Sequence, residues 1–358
     1  MSLTIAALLL TLPPSVAPEP EEAADKTRKA VDHALHWLAE NQSKDGSWDV
    51  QEGVARNRVG VSALALLALI GDGHTTQTGE HAEAVERGVR WLLGEQDPDT
   101  GLIGAPVGHT HHYDHGIATL ALCRELVASG STSNRAAIQR AVDYIHRSRN
   151  PYGAWRYDNP PIGDNDTSIT GWMVAALAAA REAGLKTDQA AFHGAINWVQ
   201  EVTDPDSGRI GYDSFGSLSS RTLENEAAPR EYGEAMTASG LHTYLVADVD
   251  LPGEPLLSKH VALMRRKLPQ WEDTGLGVDM YYWFFGTETL SRLGGEPWHA
   301  WSKALGAAVV PNQEAKGEHK GSWDPVGPWG YAGGRVYATA LMAMALEARL
   351  QHPARRSY

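Results

Sequence analysis

The 358-residue sequence has little cysteine, few basic residues and no apolar run long enough to span a bilayer. The single cysteine, Cys123, excludes an intrachain disulfide and a four-cysteine zinc module. Lys and Arg number 31 against 44 Asp and Glu, and the formal charge of −13 argues against nucleic acid as a partner. What the chain has in quantity is Trp and Tyr, 12 of each, within a composition that is 42% hydrophobic. This composition is typical of a globular protein with a large core.

The N-terminal segment resembles an export signal. Residues 5–12 are apolar, and two prolines and the small-residue stretch 15–17 follow them, as at a signal-peptide cleavage site. A basic stretch before the apolar core is missing, so a plain tail is the alternative. If the segment is a signal peptide, the protein is exported to the periplasm or the extracellular space, and otherwise it is cytoplasmic. Residues 18–25, rich in Pro, Glu and Ala, are predicted to be a linker.

An internal repeat is the strongest pattern in the sequence. Trp37, Trp91, Tyr144 and Trp198 each lie near the end of an amphipathic segment, at spacings of 54, 53 and 54 residues. A glycine-containing turn follows each of them, and a second segment rich in Ala and Leu comes after a variable loop. Fixed periods of this length indicate a repeat architecture. With two less regular copies, six pairs make up one domain at 26–350, between a signal peptide or tail with linker at 1–25 and a C-terminal tail at 351–358.

Both segments of each pair are predicted to be helical. The first is amphipathic, as in residues 30–38, and the second is apolar around its circumference, as in residues 59–70. Alternating amphipathic and fully apolar helices fit two concentric layers. We therefore predict an all-α fold, an (α/α)6 toroid of six helix pairs, with an open solenoid as the alternative.

The first repeat carries a recognisable motif. Trp37, Gln42 and the turn Gly46-Ser47-Trp48 have the spacing of the QW motif of squalene and oxidosqualene cyclases, and the sixth repeat retains Gly321-Ser322-Trp323. The chain resembles the squalene-cyclase and prenyltransferase repeat family, in the form of a stand-alone bacterial single-barrel protein. The resemblance implies a terpenoid-cyclase-like toroid in which these Trp and Gln residues stabilise the ring and take no part in catalysis.

One segment resembles the acidic motif of the squalene–hopene cyclases, DxDDTA, whose middle acid protonates an alkene. The segment Asp164-Asn165-Asp166-Thr167-Ser168, aligned on the threonine, places Asn165 at the proton-donor position and Gly163 at the first acid. The family's own proton donor is therefore absent. Asp164 and Asp166 are the candidate replacement acids, if burial raises the pKa of one of them. The alternative for Asp166 is a helix N-cap.

Polar residues and aromatic residues mark the starts of the inner helices. In a toroid all inner helices begin at the same end, so these side chains are expected to converge on one mouth of a central cavity. Aromatic faces there suit an apolar chain or a carbocation, although helix packing accounts for many of them. The candidate binding residues are Arg58, His115, Trp172, Glu234, Asp279, Tyr281, Tyr282, Arg335 and Tyr337.

A histidine-rich tract precedes the second inner helix. His109, His111, His112 and His115 lie within seven residues and are candidate metal ligands, because imidazole is a common zinc ligand. The tract lacks a standard spacing such as HExxH, and a helix-start role for His115 is the alternative. We expect no cofactor, with a divalent metal at this tract as the alternative.

Three functions remain open at this point. The first is a squalene or terpene cyclase-like protein with a cavity for an isoprenoid or other apolar ligand, and, if an enzyme, an isomerase or transferase. The second is a non-catalytic toroid that binds lipid or protein, with a peripheral membrane as a further partner. The third is a carbohydrate-active enzyme related to the polysaccharide lyases that use α/α toroids. Two long polar loops, 214–234 and 311–334, are expected to lie over the cavity mouth.

Overall fold

The computed structural model describes residues 21–50, 57–151, 153–157 and 163–351. These residues form twelve α-helices and a two-stranded ribbon of β1 (Thr203–Asp204) and β2 (Arg209–Ile210). The outer helices are α1 (Glu21–Glu40), α3 (Ala82–Gly94), α5 (Arg135–Arg147), α7 (Gln189–Glu201), α9 (Leu256–Arg265) and α11 (Gly295–Val309). The inner helices are α2 (Arg58–Gly71), α4 (His111–Ser129), α6 (Thr167–Glu182), α8 (Ala235–Ala247), α10 (Met280–Leu293) and α12 (Gly330–Gln351).

The inner helices close into a ring. Each inner helix contacts the next one along the chain, and α12 contacts both α2 and α1, so the last pair lies against the first. An open solenoid leaves its first and last repeats apart. The predicted all-α (α/α)6 toroid is therefore confirmed.

The division into two layers follows from the apolar pattern of each helix. Every residue of α2 from Val59 to Ile70 is buried, because this helix packs on all sides. Helix α5 buries only one stripe, which includes Ile138, Val142 and Ile145, and turns its charged residues to the solvent. The core thus lies between the layers and between neighbouring inner helices.

Glutamine side chains tie the turns of the outer layer together. The Nε2 amide of Gln42 donates to the carbonyl of Gly46 in its own turn, at 2.8 Å, and to the carbonyl of Ala84 at the start of the next outer helix, at 2.9 Å. Gln313 does the same after the sixth outer helix and donates to Ala30 of α1 at 2.7 Å. The contact between Gln313 and α1 therefore joins the two ends of the ring.

The structure corrects three local expectations. Helix α1 begins at Glu21, inside the stretch 18–25 that was expected to be a linker. Helix α4 begins at His111, so most of the histidine tract lies in its first two turns and not in a loop. Helix α12 begins at Gly330, inside the expected loop 311–334, and Gly334, with φ of +66°, interrupts this helix near its start. The predicted signal peptide, apart from its last residues, and the tail from residue 352 lie outside the described residues, and no described helix is long and apolar enough to cross a membrane.

Candidate functional site

The ring encloses two chambers, one at each end of the inner helices. The N-terminal chamber lies where the inner helices begin and has a volume of about 280 Å³. The C-terminal chamber lies where they end and has a volume of about 360 Å³. Trp172 lines both chambers and stacks on Phe284, with ring centroids 5.6 Å apart, while its edge meets Phe285 at 5.0 Å. These three rings form a partition between the chambers.

The N-terminal chamber is walled by aliphatic and aromatic side chains. Its aliphatic wall includes Val61, Leu64, Ile117 and Met236. The aromatic residues around it are Tyr113, Tyr157, Trp172, Tyr212, Tyr281, Trp329, Tyr331 and Tyr337. A concave, mostly apolar site with few polar groups is the usual form of a small-molecule pocket.

Two loops form a roof over this chamber. The loop before α8 contributes Thr222, whose hydroxyl lies 2.9 Å from the hydroxyl of Tyr331 in the first turn of α12, which continues the loop before that helix. Nearby, the Nδ2 amide of Asn225 donates to the carbonyl of Pro328 at 2.6 Å. The two loops therefore contact each other above the chamber and restrict access to it.

Asp114 is the only carboxyl group among the described residues that line the N-terminal chamber. Its Oδ1 accepts a hydrogen bond from the backbone N–H of Gly60 at 3.0 Å, and the residue is only 8% exposed to solvent. A side chain at Gly60 would lie 2.6 Å from that oxygen, so the close approach requires glycine. Burial raises the pKa of Asp114 to about 7, and the hydrogen bond from Gly60 opposes this shift. At neutral pH the carboxyl group is therefore present in both protonation states.

Two other polar atoms at the N-terminal chamber lack hydrogen-bond partners among the described residues. They are the hydroxyl of Tyr337 and the Oδ1 of Asn57, and both atoms are buried. Buried polar atoms are nearly always paired, with protein, water or ligand. Together with Asp114, these atoms are the places where a polar group of a ligand would be bound.

The two acids of the segment that resembles the cyclase acid motif lie outside both chambers, although Ser168 of the same segment lines the N-terminal chamber. Asp166 is the N-cap of α6, where its Oδ1 accepts from the backbone N–H of Ile169 at 2.8 Å. It is fully buried, and burial raises its pKa to about 7. The hydroxyl of Tyr212, a residue that lines the chamber, donates to the Oδ2 of Asp166 at 3.4 Å. The side chain of Asp164 is 62% exposed. Asp166 is therefore a helix N-cap, as in the alternative interpretation of the sequence. Neither Asp164 nor Asp166 lines a chamber.

Three charged residues expected at the cavity mouth instead contact the turns of the outer layer. Each begins an inner helix, or nearly so, and forms an ion pair with a residue of the turn that precedes the same helix. The pairs are Arg58 with Asp45 at 2.8 Å, Glu234 with Arg209 at 2.8 Å, and Arg335 with Asp324. Their charges are thus compensated within their own repeats, and they do not converge.

His115 and Tyr282 also face away from the cavity. The Nδ1 of His115 accepts from the backbone N–H of Ile103 at 3.0 Å, and its Nε2 donates to the carbonyl of Ala141 at 3.0 Å. Burial lowers the pKa of His115 to about 3, so the ring is neutral. The hydroxyl of Tyr282 donates to the carbonyl of Met264 in the outer layer at 3.2 Å. Both residues hold the two layers together.

Three predicted binding residues do line the N-terminal chamber. They are Trp172, Tyr281 and Tyr337. Asp279, directly before α10, is buried and caps that helix, accepting from the backbone N–H of Tyr282 at 3.0 Å. Of the predicted binding set, three of the four Trp and Tyr residues are therefore at the cavity, and the charged residues are not.

The structure does not bring the four histidines of the tract together. His109 lies at the N-terminal chamber with its ring 5.1 Å from that of Tyr157, whereas His111 contacts the carbonyl of Gly108 at 2.8 Å. His115 uses both ring nitrogens in the contacts already described. Within the described ranges, no group of three or more His, Cys, Asp or Glu side chains is placed to hold a metal ion.

The C-terminal chamber contains ionisable residues that the sequence analysis did not select. Arg124 pairs with Glu182 at 2.7 Å, and Arg292 pairs with Glu288 at 2.5 Å. His242 of α8 and Glu347 of α12 are buried and line the same chamber. The sequence does indicate these positions, because each of them is an ionisable residue in the later turns of a mostly apolar inner helix.

Part of this chain is similar in sequence to known cyclases. No family model matches it. A squalene–hopene cyclase of Bradyrhizobium diazoefficiens is 26% identical over 219 residues, which are 52% of this chain and 32% of that protein. The lanosterol synthase erg7A of Aspergillus fumigatus is 26% identical over 141 residues, 38% of this chain and 18% of that protein. The chain thus spans about a third or less of these curated relatives.

Solved structures share the fold over nearly the whole chain. The type II terpene cyclase MstE from Scytonema, in complex with its product merosterolic acid A, has a TM-score of 0.62 at 16% identity, covering 92% of this chain and 99% of that one. The chain is thus similar to squalene cyclases in part of its sequence and to a type II terpene cyclase in its fold. An alpha-1,6-mannanase from Salegentibacter sp. HEL1_6 has a TM-score of 0.61 at 10% identity, covering 91% of this chain and 99% of its own. The toroid alone therefore does not separate terpenoid from carbohydrate chemistry.

Proposed function

We propose that this squalene-cyclase-like chain binds an isoprenoid, or another apolar ligand with one polar group, in the N-terminal chamber. The observation that carries the proposal is a chamber walled by aliphatic and aromatic side chains in which Asp114 supplies the only described carboxyl group. Burying an apolar chain there contributes about 25 cal/mol per Å². Asp114, Asn57 and Tyr337 supply the few polar contacts that orient such a ligand. Support also comes from MstE, which has been solved with geranylgeranyl dihydroxybenzoate, an isoprenoid with a polar ring.

A second candidate function is acid–base catalysis by Asp114 on the bound ligand. A pKa of about 7 lets this carboxyl group give and take a proton at neutral pH. It also makes the group a weaker acid than an ordinary Asp, and an isolated alkene demands a strong one. An isomerisation that moves a proton near a polar group of the ligand therefore fits Asp114 better than a cyclisation begun at an isolated alkene.

Carbohydrate hydrolysis fits the chamber less well. Most glycosidases use two carboxyl groups on either side of the scissile bond. The described lining of the N-terminal chamber offers one carboxyl group, that of Asp114, and most of its wall surface is apolar.

The proposal is tested by titrating the protein with geranylgeraniol and following its tryptophan fluorescence. Leu64 lines the N-terminal chamber and Leu67, one turn later on α2, lines the other chamber, so they form a matched pair. Leu64→Trp fills the proposed site and is expected to weaken binding by about tenfold or more, whereas Leu67→Trp leaves it within about twofold. No saturable binding of geranylgeraniol, or equal weakening by both variants, would contradict the proposal.

Catalysis is tested separately by incubating the protein with geranylgeraniol and squalene and analysing the products by mass spectrometry. If Asp114 moves the proton, Asp114→Asn retains binding and forms no rearranged product. If the wild-type protein binds the ligand and returns it unchanged, the binding function stands and the catalytic one is excluded for these substrates.

A further inference from the structure

The C-terminal chamber contains two buried polar side chains with unused hydrogen-bonding atoms. His242 is 5% exposed and neither of its ring nitrogens has a hydrogen-bond partner among the described residues. Glu347 is 4% exposed and its Oε1 has none either. Both residues line the chamber. Since buried polar atoms are normally paired, these atoms point to a ligand that the chamber is built to bind.

The other charged groups at this chamber are already compensated. The guanidinium of Arg124 contacts Glu182 at 2.7 Å, and that of Arg292 contacts Glu288 at 2.5 Å. The Nε2 of His242 lies 3.9 Å from Glu288, too far for a hydrogen bond. Of the two described acidic residues that line the chamber, Glu347 is the one without an ion pair to a described basic residue.

The surroundings of Glu347 belong to several elements. Arg28 of α1 is held by Asp72, with two contacts at 2.6 and 3.0 Å, so it is not available to pair with Glu347. Burial, Asp72 and Glu288 raise the pKa of Glu347 well above its usual value, while Arg28 opposes them. The free chamber therefore stabilises the protonated form of Glu347, and a cation arriving beside it would favour the ionised form.

The shape and fields of the chamber also favour a cation. The C-terminal ends of the inner helices carry negative partial charge and face this mouth. The wall between Glu347 and the other chamber consists of the rings of Trp172, Phe284 and Phe285, and aromatic faces attract organic cations. An inorganic metal ion is not favoured, because no suitable ligand group occurs among the described residues.

We propose that the C-terminal chamber binds a small organic cation, an alkylammonium, through the carboxylate of Glu347, with His242 accepting a further N–H. The aromatic partition holds the alkyl part of the ligand. This site is separate from the isoprenoid site proposed above, and the two proposals are tested independently.

The test is calorimetric titration of the intact protein with hexylammonium chloride at pH 7, with hexanol and hexanoate as probes of the same chain length. We expect hexylammonium to bind at least about tenfold more tightly than hexanol, since a charged hydrogen bond is added, and hexanoate more weakly than either. Tighter binding of hexanoate than of hexylammonium would overturn the proposal.

Two isosteric variants locate the site. Glu347→Gln is expected to weaken hexylammonium binding about ten- to a hundredfold, whereas Glu318→Gln, at a side chain that is 88% exposed in an outer turn, leaves it unchanged. Unchanged binding in Glu347→Gln would refute the assignment. Weakening in Asp114→Asn instead of Glu347→Gln would move the cation to the N-terminal chamber and also refute it.

A measurement on the wild-type protein is independent of how the variants fold. Because Glu347 ionises when the cation binds, a proton is released, and the binding heat is expected to differ between buffers of different ionisation enthalpy. The affinity for hexylammonium should also rise as the pH increases towards the pKa of the free carboxyl group. A binding heat that is the same in all buffers, with an affinity independent of pH, would contradict a role for Glu347.

Discussion

Asp114→Asn makes the electrostatic cost of the candidate acid measurable. The folded-state pKa of Asp114 is about 7, against an ordinary value of 3.8. A pKa raised on folding contributes stability that is complete below the unfolded-state pKa and is lost as the pH rises through the folded-state pKa. A shift of about three units corresponds to about 4 kcal/mol, so the wild-type protein should lose about that much stability between pH 4 and pH 8 through this group.

The asparagine variant cannot ionise, and its side-chain oxygen can keep the hydrogen bond from Gly60. We therefore expect the two proteins to have nearly equal free energies of unfolding below about pH 4, and the variant to be more stable by about 1.5–2 kcal/mol at pH 5 and by about 4 kcal/mol at pH 9. Urea titrations across this range measure the difference, in which Asp166 and all other shared groups cancel. Asp164→Asn, at an exposed side chain, is the control and should show no such trend. A difference between wild type and Asp114→Asn that stays constant from pH 5 to pH 9 would refute the assigned pKa.

Three further predictions concern the same structure. Gln313→Ala removes the amide contacts that join the ends of the ring and should cost about 1–2 kcal/mol in urea unfolding, and no loss would show that these contacts contribute little. Gly60→Ala displaces the Asp114 carboxyl group from its hydrogen bond with Gly60, so the midpoint of the pH-dependent stability should move above pH 7, and an unmoved midpoint would argue against a role for this bond in the pKa of Asp114. Asp166→Ala should cost about 1–2 kcal/mol as a lost N-cap while Asp166→Asn keeps most of that stability, and equal losses would argue against the capping role.

The architecture could be predicted because large aromatic residues recur at regular spacing in the repeat. The aromatic spacing of 54, 53 and 54 residues and the alternation of amphipathic and apolar segments correspond to the helix pairs that the structure contains. Closure of the ring depends on contacts between the first and last repeats, such as that of Gln313 with Ala30. These are distant in sequence, so closure was a prediction until the structure confirmed it.

The candidate site was predicted less well, because the position of a residue on a helix does not fix where its side chain goes. Arg58 and Arg335 begin inner helices, yet acidic residues in the preceding turns draw them into the outer layer. Asp114 lies within the histidine tract, whose pattern indicates metal ligands, yet it contributes the carboxyl group of the apolar chamber. Glu347 lies near the end of an apolar helix, and a single acidic residue at such a position is common in helices that have no binding site.

The central claim is that the N-terminal chamber is the ligand site, and a crystal structure of the protein with geranylgeraniol tests it most directly. We predict one isoprenoid chain against Trp172 and Tyr281, with its hydroxyl group within hydrogen-bonding distance of Asp114, Asn57 or Tyr337. An isoprenoid found only outside this chamber, or a chamber that takes mannotriose in preference to geranylgeraniol, would contradict the account.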